Sequence, residues 1–367
     1  MKKKPPAKKI LSSQDGRENS KSASTNNTEL VSTKVKSKSV TVDVNPVKES
    51  KKDQIAEKTT DLDNVKKDIT QKVGDESKSQ SVSASIKIFQ IYYDAWQKEL
   101  LDPQMVPLNN NTPVKSELYE FDVFKRLYET DYVKKLTLWG AVSWRFGEKT
   151  KLTAQNVLED IQKNPGFDVY FCNPVMEIES LYHNVWIQGE ISHPKFLAVV
   201  LEFFKAAQIS PSELVTMENS QHISVANYFV GNQRFWDTYL AWIDKKLSLA
   251  NKNMPAKVRE LMHSKVADDK MLHGGATYVP FIVERLFSVF LKEHSKVIKS
   301  HKITLPKDGN VHLKLLREMK DTAIATKSLW LAACWVNYRN LYFTQMMGKD
   351  WAKENLPRIT PKDILFS

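Results

Sequence analysis

Two periodicities alternate along the chain from Ile86 onward. The run IKIFQIYYD (86–94) sets β-branched and aromatic side chains against polar ones and predicts a strand. Residues 136–144, 167–172 and 223–230 predict three more, the third halted by Asn173-Pro174 and the fourth closed by Gly231-Asn232. A short apolar strand is expected at 185–187. Between these runs the period lengthens to that of a helix. Thr153 is placed to cap residues 154–163, and Leu197, Val200, Leu201 and Phe204 follow i, i+3, i+4, i+7 spacing in a helix expected to begin at Ser192. Ser210-Pro-Ser-Glu213 has the form of a capping box. Helices are predicted over 235–249 and 278–291, the latter with Pro280 in its first turn. Strands alternating with helices predict an α/β fold with a mostly parallel sheet flanked by helices. From about Asn310 the pattern is helical only.

Before Ile86 both periodicities stop. Residues 1–86 carry 18 basic and 12 acidic side chains, and all 16 Phe, 12 Tyr and 9 Trp lie beyond them. A segment without aromatic side chains buries too little apolar surface to offset its ordering entropy. Residues 1–85 are therefore expected to form a disordered basic low-complexity tail, 86–305 the sheet domain and 306–367 a helical C-terminal extension. The formal charge of +11 divides into +6 on residues 1–86 and +5 on the rest. A nucleic-acid partner is disfavoured, because the tail lysines mix with acids from Asp43 onward and no ring is available for base stacking. A tether resting against an anionic membrane surface fits the same charge.

No run of 18 uncharged apolar residues occurs, which disfavours a transmembrane helix. The most apolar long stretch, 329–347, contains Asn337, Arg339 and Asn340 and reads as a buried or interfacial helix. The basic start is not followed by the apolar segment of a signal peptide. Cys172 and Cys334 lie far apart and make neither a disulfide framework nor a zinc ribbon, so a reducing cytoplasm is the simplest setting.

The usual nucleotide signatures are absent: no GxxxxGK[ST], no GxGxxG, no GxSxG and no HExxH. With 11 Gly in 367 residues, phosphate must be held by side chains, a helix N-terminus or a metal. Seven segments nevertheless occur in a recognisable order: IKIFQIYYD (86–94), MVPLNNN (105–111), LWGAVSWRFGEKT (138–150), DVYFCNPV (168–175), NVWIQGEISHP (184–194), NYFVGNQRFWDTYLAWI (227–243) and YVPFIVERLFSVFL (278–291). Together they resemble bacterial glycosyltransferases encoded with capsule and lipopolysaccharide genes, including galactofuranosyltransferase-like members. The resemblance implies a GT-A-like, nucleotide-sugar-binding sheet over 86–305 and transfer of a sugar from a nucleotide-sugar donor to a glycan or lipid-linked acceptor. It also implies Mn²⁺ or Mg²⁺ held by an Asp-x-Asp. Here the chain departs from the pattern, for the one Asp-x-Asp is Asp61-Leu62-Asp63 in the tail.

Such a transfer needs positive charge for the leaving diphosphate, a base for the acceptor hydroxyl and hydrogen-bond partners for the sugar. Asp94 follows the first strand, where α/β folds place ligands. Asp168 either contributes to a donor or metal site or caps its turn. Arg145, in SWRF, is placed to reach a diphosphate or to serve the surface. The loop expected at 188–194 offers Glu190 as base or sugar ligand and His193 as phosphate contact, or is a plain helix entry, with Gly189 turning the backbone. Asn227 suits a sugar hydroxyl or a turn. Glu284 interrupts an apolar helix as a cleft-facing base or as half of an ion pair. His273-Gly274-Gly275 after Asp268-Asp269 is a lid, a loose metal motif or a loop. The reading drawn is a cytoplasmic glycosyltransferase; the alternative is a non-catalytic glycan- or nucleotide-binding adaptor with the same fold.

Overall fold

The computed structural model describes residues 85–112, 116–266, 275–306 and 310–366. The tail, its Asp61-Leu62-Asp63 motif and the 268–274 segment with its acidic pair and His273 lie outside them.

The described residues form eight strands: β1 (Ile86–Tyr92), β2 (Val106–Asn109), β3 (Leu138–Ser143), β4 (Val169–Phe171), β5 (Thr216–Met217), β6 (Phe229–Gly231), β7 (Ser300–Lys302) and β8 (Leu365–Phe366). Six make one sheet in the order β2-β1-β3-β6-β4-β7, while β5 and β8 pair separately. All neighbours in the large sheet are parallel except β6, which runs antiparallel to both β3 and β4. Alternate residues feed opposite faces. Phe89, Ile91, Trp139, Ala141 and Phe171 enter the larger core, and Ile88, Leu138, Val142, Tyr170 and Val230 enter a second one on the other side. Apolar cover on both faces explains why β3 is buried along its whole length.

The larger core is aromatic. Trp139 stacks on Trp236 at 4.0 Å, and the Trp236 indole N–H donates to the carbonyls of Trp139 and Gly231, both at 3.1 Å. Gly140 lets β3 and β6 approach closely, since a Cβ there would lie 2.1 Å from the Phe229 carbonyl oxygen.

The helix over Ala154–Lys163 forms as expected, with Thr153 accepting from the Asn156 amide. Residues 185–192, expected as a strand and loop, are a helix. Asn184 caps it by accepting from the Trp186 and Ile187 amides, and Gly189 is there for packing, because a Cβ would meet the Phe196 ring at 2.4 Å. The next helix consequently starts at Phe196, not Ser192. The capping-box form at 210–213 becomes a single 3-10 turn whose Glu213 pairs with Lys292. The strand expected at 223–230 contracts to Phe229–Gly231, since Ser224 is held by the Ser288 hydroxyl and not by a ladder.

Helices Val311–Thr326, Leu329–Met347 and Lys349–Asn355 follow the sheet. Arg339 is fully buried and donates to the Ile359 carbonyl at 3.2 Å and the Thr360 hydroxyl at 2.6 Å, while the Trp335 indole donates to the Ser180 carbonyl at 2.9 Å. Among the described residues no helix is long and apolar enough to cross a membrane.

Candidate functional site

From β1 the sheet extends to β2 on one side and to β3 on the other. A reversal of this kind opens a crevice beyond the carboxyl ends of the strands, where α/β sheets receive ligands. Four of the expected site residues arrive at this edge. Asp94 leaves β1, Arg145 leaves β3, Asn227 enters antiparallel β6 from the same side, and Glu284 projects from the Tyr278–Glu293 helix. Asp94 is exposed and accepts from Gln97 Nε2 at 3.3 Å at the head of a 3-10 turn. Arg145 is exposed and bound twice by Glu148, at 2.8 and 2.6 Å, which raises its pKa. Asn227 is buried and its Oδ1 has no partner.

Glu284 meets a second acid that the sequence reading passed over. Glu120 opens the Glu120–Tyr128 helix and shares the crevice with it. Both side chains are half-buried by surface yet hemmed in by protein, as groups lining a deep crevice are. Exclusion from water raises the Glu284 carboxyl to about 8, the neighbouring Glu120 charge adds to this, and Arg285 and Lys149 offset part of it. Glu120 is raised as well, chiefly by the same desolvation, against its own backbone N–H and Lys149. Two carboxyls placed so cannot both ionise easily, and the pair keeps a proton near neutral pH.

Tyrosines line the crevice. Burial raises Tyr93, Tyr119 and Tyr228, and the charges of Glu120 and Glu284 raise each of them further. The Tyr228 hydroxyl shares a 2.8 Å hydrogen bond with Ser143 at the end of β3. The Tyr93 hydroxyl and the Asn110 side chain face each other, and Asn110 Oδ1 accepts from Arg126 at 2.5 Å. Tyr119 sits at φ 47°, ψ −126°, a strained backbone for a bulky residue, immediately before Glu120. A cavity of about 500 Å³ past the end of β3 is bordered by Gln90, Asp102, Trp144 and Glu148, and neither acid nor any of these tyrosines is among its lining residues.

Three expected residues take other roles. Asp168 stands at the start of β4, on the opposite edge of the sheet from Asp94 and Arg145. Its oxygens accept from Asn232 Nδ2 at 2.9 Å and the Lys299 amide at 2.8 Å, with Arg234 at 3.8 Å, so it ties β4, β6 and β7 together. Glu190 accepts from the Leu197 amide at 2.8 Å and pairs with Arg358 at 3.1 Å, so it serves the entry of the next helix as the plain reading of this stretch has it. His193 is 2% exposed and stacked on Phe281 at 3.8 Å. Among the described residues no three His, Cys, Asp or Glu side chains come together as a metal site. Asp168, with both oxygens engaged, does not fit the role of cation ligand.

No protein-family model matches the chain, and no curated protein matches it. Among solved structures the chain is similar to the apo form of the bifunctional glycosyltransferase WbbM, at 12% identity and a TM-score of 0.35, over 62% of this chain and 46% of that one. The chain thus spans less than half the length of that protein. A TM-score of this size lies below that of a shared fold.

Proposed function

We propose that the chain is a glycosyltransferase, GT-A-like in its sheet, that moves a sugar from a nucleotide-sugar donor to a glycan or lipid-linked acceptor. The observation that carries this reading is the Glu120–Glu284 pair beyond the carboxyl ends of β1 and β3, with Lys149 beside it. With one of the two carboxyls protonated and the other ionised, the pair has two functions. The ionised partner takes the proton from the acceptor hydroxyl as its oxygen attacks the anomeric carbon. The protonated partner donates a hydrogen bond to the sugar. A base whose pKa lies near the working pH is the efficient choice. As the anomeric C–O bond breaks, the bonding electrons leave with the diphosphate, and Lys149 and Arg145 supply the compensating positive charge. Arg145 would exchange Glu148 for phosphate. The unpartnered Oδ1 of Asn227 suits a sugar hydroxyl.

The described residues do not provide a divalent-cation site, so no step is routed through Mn²⁺ or Mg²⁺. Cytoplasmic placement and peripheral contact with an anionic membrane belong to the same proposal. The test is a panel of UDP-, GDP- and CMP-sugars followed by thermal stabilisation and turnover. At least one donor is expected to stabilise the protein, and Glu120→Gln and Glu284→Gln are each expected to lower turnover by roughly 10²–10⁴-fold, the usual weight of a positioned acid or base, with donor binding retained. A panel without any stabilising donor, or variants with unchanged turnover, would overturn it. Donor binding without turnover by the wild-type chain would select the adaptor reading instead.

A further inference from the structure

A second cavity opens on the same edge of the sheet and takes no part in the reaction proposed above. It holds about 430 Å³ past the ends of β4 and β7, walled by side chains of the Met176–Leu181 and Val311–Thr326 helices. Its floor is polar and closed. Asn173, 1% exposed, donates through Nδ2 to the Val175 carbonyl at 2.9 Å and to Glu179 at 2.8 Å. Glu179, 4% exposed, also accepts from Lys302 at 2.7 Å, and Lys302 donates further to the carbonyls of Ser220 and Ile223. Asp321 is engaged on both oxygens by the amide and hydroxyl of Ser220.

Three groups remain unused. Asn173 Oδ1 is a buried acceptor with no donor. Among the described residues Arg317 makes a long 3.6 Å ion contact with Glu179, and Lys314 a 3.9 Å contact with Glu318. Arg317 and Lys314 are three residues apart on one helix and both border the cavity. A neutral polyol would leave the two cations with these long ion contacts alone. Bare phosphate would leave Asn173 and most of the volume unfilled. A ligand with an anionic head and at least one hydroxyl satisfies all three, and the volume suits a small molecule.

We propose that this cavity binds the phosphomonoester of a polyol, a sugar phosphate in its simplest form, with the phosphate on Arg317 and Lys314 and a hydroxyl donating to Asn173 Oδ1. The site stands whether or not the transfer reaction does, because none of its residues belongs to the Glu120–Glu284 crevice. Calorimetric titration of the full chain with glucose 1-phosphate, glucose and inorganic phosphate at fixed ionic strength tests it. One equivalent of glucose 1-phosphate is expected to bind at least tenfold more tightly than either fragment. The double variant Arg317→Gln/Lys314→Gln, altered only at the cavity mouth, should weaken that binding at least tenfold while the melting temperature stays unchanged. Glu284→Gln should leave it unaltered. Phosphate binding as tight as glucose 1-phosphate, indifference to the double variant, or loss of binding in Glu284→Gln would each overturn the proposal.

Discussion

Glu284 ties the proposed chemistry to stability. Its carboxyl is raised to about 8 in the folded chain, chiefly by desolvation, from the ordinary 4.5 of a free glutamate. Between those two pH values the folded state holds a proton that the unfolded chain has released, so stability is present below about 4.5 and is lost as pH rises toward 8. Urea midpoints of the wild type should fall from pH 5 to pH 8, and those of Glu284→Gln should fall less. Asp168 gives the opposite contrast, being structural at a distance from the reaction. Asp168→Ala should cost about 1–3 kcal/mol by leaving the Lys299 amide and Asn232 without acceptors, while turnover of the folded fraction changes less than threefold. Addition of EDTA should likewise leave turnover within twofold, measured in the same assay.

At the scale of elements, the close approach of β3 to β6 is the least forgiving contact. Gly140→Ala would press a methyl group to 2.1 Å from a backbone oxygen, which only strand separation relieves. A loss of about 1–3 kcal/mol, typical of overpacking, is expected in equilibrium denaturation. The elements that were legible in the sequence share a reason. β1 and β3 combine alternation with length, Ala154–Lys163 carries its own cap, and Tyr278–Glu293 is long enough for its period to declare itself. Val185-Trp186-Ile187 is too short for periodicity to separate strand from buried helix, and the deciding signal was the cap at Asn184. β7, Ser-His-Lys, has no strand composition at all and is held by its pairing to β4. Of the proposed site, Asp94, Arg145, Asn227 and Glu284 were readable as polar groups after strands or inside an apolar helix. Glu120 was not, because an acid in the first turn of an amphipathic helix looks like a favourable partner of the helix dipole. Asp168 misled because it precedes its strand, and the start of a parallel strand points away from the crevice.

Across the whole molecule, distant segments are fastened by buried polar groups. Arg339, on the Leu329–Met347 helix, reaches Leu181 on one side and Ile359 and Thr360 on the other. Arg339→Met should leave those carbonyls without donors and release residues 356–366, measured as faster limited proteolysis there with the sheet still folded. The sheet itself is joined at one place: β6 alone links the β2-β1-β3 half to the β4-β7 half. That arrangement has a consequence for biosynthesis. β3 and β4 leave the ribosome well before β6, and at about 5–20 residues per second the interval from Phe171 to Phe229 lasts roughly 3–12 s. During it the nascent chain presents two apolar strand edges with no partner, the templates on which neighbouring polypeptides aggregate. Fast synthesis or a ribosome-associated chaperone should therefore raise the yield of folded protein more than any change to the finished surface.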